Sequence, residues 1–208
     1  VNLSLNSPMI DKLIDLALAE DISGGDITTE STIGASQQGI GTIITKSIGV
    51  IAGLPIVKRV LSHIDPSLDF HQLVSDGTKV EPMTPIAEVT GCAKSILTGE
   101  RTALNFLQKL SGTATLTAEF VDVVKNTKTK IVDTRKTTPG WRLLQKYAVR
   151  VGGGKNHRFG LYDGILIKDN HIVAAGGIQR AVEMARSSAP HTAKIEIEVE
   201  TINQVEEA

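Results

Sequence analysis

Eight lysines and arginines fall between Arg135 and Lys168 against one acid, Asp163, so this stretch carries +7 while the rest of the chain carries −8. Charges so concentrated repel one another unless an anion comes among them. A solvated basic helix would account for part of the run. Nucleic acid fits poorly, because only Trp141, Tyr147 and Phe159 offer stacking faces there and the remainder of the chain is acidic. A small, highly charged anion is the better match.

The cations come in short groups: Thr134-Arg135-Lys136-Thr137, then Lys155-Asn-His157-Arg158 behind three glycines, then Lys168-Asp-Asn-His171. The Gly152–Gly154 run is not a phosphate loop, since no Gly-Lys-Ser/Thr follows at the required spacing. Glycines also serve as ordinary helix stops. Placed before His157-Arg158, they read as a mobile way into a basic site. Further on, Glu196, Glu198 and Glu200 alternate with Ile195, Ile197 and Val199, which puts three carboxylates on one face of a strand. Such a row suits a metal ion or a developing positive charge, and equally a solvated strand edge.

The elements that must position these groups can be read from periodicity. Ile10, Leu13, Ile14, Ala17 and Leu18 recur at helical spacing over 10–20. Strands follow at 41–45 and 49–52, a helix at 55–63, and strands at 68–74 and 86–90. Asp26 and the threonines after it read as turn and cap residues. A helix capped by Thr98 carries Ala103, Phe106, Leu107 and Leu110 on one face, and Ser111-Gly112 breaks it before a second helix at 116–125. That break suggests two domains, 1–110 and 111–208. Beyond it, strands at 130–133, 164–167 and 194–199 alternate with helices at 141–149 and 178–185, the pattern of parallel βαβ units. Sites in such folds form at the carboxyl ends of the strands, so the three strands deliver residues 134–137, 168–171 and Glu200-Thr201 to one rim.

A chain of 208 residues with 41% hydrophobic and 22% charged residues buries a real core. Its one cysteine, Cys92, excludes an internal disulfide and points to a reducing compartment, the cytoplasm by default. No apolar run approaches the ~18 residues of a membrane span, and the first residues lack the pattern of a secretion signal.

Five blocks taken together resemble the quinolinate phosphoribosyltransferase family: Gly99-Glu-Arg-Thr-Ala-Leu-Asn105 with Ser111-Gly-Thr-Ala-Thr115, Asp133-Thr-Arg-Lys-Thr-Thr-Pro-Gly140, Gly152-Gly-Gly-Lys-Asn-His-Arg158 with Leu161-Tyr-Asp163, Lys168-Asp-Asn-His171, and Glu196-Ile-Glu-Val-Glu200. They stand in the family's order across nearly the whole chain. The resemblance implies an α/β protein, with an amino-terminal α+β sandwich domain followed by a parallel α/β barrel that is incomplete here. It implies transfer of phosphoribose from phosphoribosyl pyrophosphate to quinolinate with loss of CO2. By the same resemblance Thr134, Arg135, Lys136, His157, Arg158 and Lys168 bind substrate, and Arg101 enters the site from a neighbouring subunit of a homodimer or larger assembly. Lys136, Lys168 and Glu198 stand as the catalytic residues, Glu198 assisting Mg2+ or the ribose as the anomeric carbon becomes cationic. Neither nucleic acid nor a membrane is an expected partner.

Two other readings compete: a related protein associated with molybdate-transport genes, which shares the Thr-Arg-Lys and Gly-Gly-Gly blocks, and an anion-binding fragment without turnover. Family members continue past position 208. Thr201 and Gln204 form a capping box, so the sequence leads into a helix at its last residues. The expectation is of an incomplete chain that, if it truly ended there, would expose unfinished barrel surface and lack transfer activity.

Overall fold

The computed structural model describes residues 5–208. They form two compact units, one reaching to Asn156 and the other spanning His157–Ala208.

The first unit begins with α1 (Pro8–Ile22), capped by Ser7 and burying Ile10, Ile14 and Leu18 at helical spacing. Asp26 caps the short α2 (Ile27–Thr32), its carboxylate accepting from the Thr29 amide at 3.0 Å. These hydrogen bonds, that of the Thr29 side chain foremost, hold the Asp26 carboxyl below its usual range. β1 (Gln38–Ile44), β3 (Asp69–Gln72) and β5 (Pro85–Cys92) make an antiparallel sheet in the order β1-β5-β3, while β2 (Gly49–Val50) pairs with β4 (Lys79–Val80). Between them α3 (Leu54–Ile64) buries Leu54, Ile56, Val57, Val60 and Leu61.

The spine is α4 (Ala93–Val124), and it departs from expectation twice. It starts directly after β5 rather than at Thr98, because Ile96 in its first turn already belongs to the core. Thr98 therefore lies inside the helix, its hydroxyl donating to Asp26 at 3.3 Å. Nor do Ser111-Gly112 break it. Ser111 Oγ accepts from the Ala52 amide at 3.0 Å, and Thr115 Oγ1, one turn on, accepts from the Val50 amide at 2.8 Å. The two hydroxyls face the neighbouring chain instead of competing with their own helix. A helical glycine costs about 1 kcal/mol relative to alanine, and the burial of Leu110 and Ala114 on either side offsets it. α4 thus runs unbroken through Ser111-Gly112.

α5 (Arg142–Val151) packs on α4, with Trp141 stacked on Phe106 at a ring separation of 4.8 Å. Tyr147 on its other side donates to Asp76 at 2.6 Å, and Asp76 also receives the Gly53 and Leu54 amides that open α3. Burial first, and then this carboxylate, push the Tyr147 phenol upward.

The second unit is a βαβ unit: β6 (Ile165–Ile167), α6 (Asp169–Ala175), α7 (Ile178–Ser188) and β7 (Ile195–Ile197), with the two strands parallel. Ile167, Ala181 and Val182 form its core, with Ile165, Ile172, Ile195 and Ile197 packed against them. α8 (Ile202–Glu207) opens with the expected capping box of Thr201 and Gln204. α6 was not read from the sequence, being only 7 residues long. The third expected strand, 130–133, does not form either. It makes one parallel bridge, Val132 to Lys155, in the first unit, too short to grow into a ladder. Among the described residues no helix is long and apolar enough to cross a membrane.

Candidate active site

In the second unit the ends of β6 and β7 carry the expected groups side by side. Glu198 continues the ladder, its amide donating to Ile167 O at 2.9 Å, and this sets its side chain next to Lys168. Lys168 Nζ lies 2.7 Å from one carboxylate oxygen of Glu198. The Lys168 amide donates to His171 Nδ1 at 3.0 Å, so His171 holds the backbone where β6 turns into α6. His157 pairs with Glu196 at 2.9 Å. The acidic face read from the period of two is therefore real, and Glu196, not singled out as a binding residue, is the partner of one.

Arg158 is held by its own loop. Its Nη1 donates to Gly164 O at 3.2 Å, while Asp163 accepts from the amides of Phe159 and Gly160 at 2.7 and 2.9 Å and closes the turn. Arg158 Nε is buried without a hydrogen-bond partner among the described residues. Asp163, the one acid of the basic run and part of a family block, was not expected to hold this turn.

In the first unit Thr134, Arg135 and Lys136 follow the Val132 bridge in a tight turn, with the Lys136 amide donating to Thr134 Oγ1 at 3.0 Å and the Thr137 amide to Arg135 O at 2.9 Å. Arg135 Nε, like that of Arg158, is buried and has no hydrogen-bond partner among the described residues. Buried polar atoms are almost always satisfied, so both nitrogens have a donor to offer an acceptor. Arg101 is exposed on α4, on the wall of a cavity of about 1000 Å³ that β1 and α4 enclose with Thr42, Lys46 and Glu119.

Two features of the basic run turn out differently. Lys146 faces no anion site: its side chain is wholly buried and paired with Asp133. Nor do the three glycines form an open loop, since Gly152 and Gly154 are buried. Gly152 caps α5, and a Cβ there would lie 2.4 Å from Ala114 O, so only glycine lets the end of α5 meet the α4 backbone. Gly153 adopts φ 90°, a left-handed conformation that favours glycine.

Among the described residues no group of three or more His, Cys, Asp or Glu side chains could hold a metal ion. Glu198 offers a single carboxylate, which matches Mg2+ held mainly by substrate phosphates rather than by a protein cage.

Two family models match: the quinolinate phosphoribosyl transferase N-terminal domain over residues 26–111 and the C-terminal domain over 113–208. The fold is that of a phosphoribosyltransferase. A probable nicotinate-nucleotide pyrophosphorylase [carboxylating] of Bacillus subtilis is 47% identical over 204 residues, which is 98% of this chain and 70% of that protein. A protein of the same name in Synechocystis sp. is 45% identical over 96% of this chain and 68% of its own length. Among solved structures, NadC from Streptococcus pyogenes superposes with a TM-score of 0.94 at 42% identity, over 98% of this chain and 72% of that one. The chain belongs to the quinolinate phosphoribosyltransferase family, and these names favour that reading over the molybdate-associated relative.

Proposed function

We propose that this protein transfers phosphoribose from phosphoribosyl pyrophosphate to quinolinate, with loss of CO2, giving nicotinate mononucleotide and pyrophosphate for NAD synthesis. The observation that carries the reading is the pair of buried, unpartnered guanidinium nitrogens on Arg135 and Arg158, in a chain whose relatives bear the name of that activity.

The reaction brings together a dicarboxylate, a 5'-phosphate and a pyrophosphate, and planar guanidinium groups suit such anions because they donate in a fixed fork. The first unit offers Thr134, Arg135 and Lys136 to them, and the second offers His157, Arg158 and Lys168. The pyridine nitrogen replaces pyrophosphate on the anomeric carbon, and the carboxylate next to that nitrogen departs as CO2, leaving its bonding electrons on the ring carbon, which takes up a proton from solvent. Lys136 and Lys168 balance negative charge through these steps. Glu198 faces the anomeric carbon as it becomes cationic, or contributes its carboxylate to Mg2+ that arrives with phosphoribosyl pyrophosphate. Arg101 serves the site of a neighbouring subunit, in a homodimer or larger assembly. The lone Cys92 supports a cytoplasmic setting.

Calorimetric titration with quinolinate, followed by measurement of nicotinate mononucleotide formed from phosphoribosyl pyrophosphate, tests the proposal. Saturable binding with matching release of CO2 and pyrophosphate is expected. A protein that binds no quinolinate and forms no mononucleotide overturns it.

A further inference from the structure

The segment that presents Arg135 and Lys136 is anchored in an unusual way. Among the described residues, the backbone of 131–133 is tied to a neighbour by the Lys155 amide donating to Ile131 O at 2.8 Å and the Asp133 amide donating to Lys155 O at 3.1 Å. Immediately afterwards the chain turns back on itself at Thr134. So brief a pairing leaves the direction of the turn to whatever grips its first residue, Asp133.

Three groups meet there. The Asp133 carboxylate pairs with Lys146 from α5. Its other oxygen accepts from the Asn156 side-chain amide at 2.6 Å, and the same amide nitrogen donates to Lys146 O at 2.9 Å. The side chains of Lys146 and Asp133 are 0% and 8% exposed. Burying a charge pair is costly, and an apolar side chain of similar volume at 146 would fill the space as well or better. What an apolar residue would not do is hold a carboxylate at a set angle. Asn156 adds a second grip from a different segment, directly before His157 in the chain.

We infer that Asp133, Lys146 and Asn156 are positioning residues for the transfer reaction: together they set how the chain leaves residue 133, and so how Arg135 and Lys136 meet the anionic groups of the substrate. The inference rests on the proposed function, and it gives Lys146, one of the eight cations of the basic run, a place in the scaffold.

The test compares Lys146→Met with the double variant Asp133→Asn, Lys146→Met. The single change leaves a buried carboxylate without its cation, and Tm falls sharply. The double change removes both charges, and Tm returns close to that of the unaltered protein. If the three residues position the turn, the double variant still shows a KM for quinolinate raised roughly tenfold to a hundredfold and faster amide exchange over residues 134–138. Asn156→Ala, which keeps the ion pair, gives a smaller change in the same direction and serves should the double variant not fold. A folded double variant, or in its place Asn156→Ala, with unaltered KM and unaltered exchange overturns the inference, because the cluster then does no more than support the fold. If the unaltered protein binds no quinolinate, the proposed function fails, and the exchange measurement alone decides whether the cluster holds the turn.

Discussion

Both carboxylate oxygens of Glu198 accept from Lys168 Nζ, at 2.7 and 2.9 Å, at the carboxyl ends of neighbouring parallel strands. The two side chains are 44% and 53% exposed, so the pair adds little to stability. Under the proposed function an incoming anion would take Lys168 and leave Glu198 facing the positive charge that develops. Lys168→Ala should therefore remove most turnover while Tm moves by no more than a degree or two, about the effect of an exposed charge. Unchanged kcat and KM in the variant would take Lys168 out of the site.

Arg101 stands exposed on α4, in the first unit. If it serves a neighbouring subunit, Arg101→Ala and Lys168→Ala proteins, each inactive alone, regain activity when mixed and allowed to exchange subunits, because one hybrid site carries both native residues. Mixed assemblies shown to form by mass spectrometry but without activity would end the shared-site proposal.

Gly152→Ala places a methyl carbon 2.4 Å from Ala114 O, against backbone that cannot turn aside. Overpacking of this kind costs about 1–3 kcal/mol, and at roughly 2–4 °C per kcal/mol for a chain of this size the Tm should fall by several degrees. The same change at Gly112, where a Cβ meets nothing within 4 Å, should leave Tm level or slightly raised. Equal melting curves for the two variants would contradict the close contact of α4 and α5.

Asp11 is held below its ordinary 3.8, first by its hydrogen bond to Arg59, then by the Arg59 charge and by His63, which also faces Asp15. A carboxyl depressed in the folded state contributes stability that is fully present above 3.8 and is lost as pH falls through the lower folded value. Asp11→Asn should lower Tm at about pH 7 and converge with the unaltered protein in acid, where both forms are uncharged. Curves that stay parallel as far as about pH 3 would show that Arg59 does not stabilise this carboxylate.

Local chemistry made much of this protein legible from its sequence. The apolar spacing of Ile10, Ile14 and Leu18, the Asp26 and Thr201 caps and the alternation of Glu196 and Glu198 with isoleucines depend on residues a few positions apart, and all appear in the structure. The charge excess from Arg135 to Lys168, and the order of the blocks that mark the family, are likewise properties of the chain alone. Tertiary structure decided what depends on distant partners. Ser111-Gly112 stays helical because Ser111 Oγ accepts from the Ala52 amide and donates to the Ala52 carbonyl, Gly152 packs closely because Ala114 lies beneath it, and Lys146 is buried because Asp133 waits for it. A residue's type states which contacts it is able to make, but which it makes is settled only when remote segments meet and the cost of leaving each polar group unpaired has to be met somewhere.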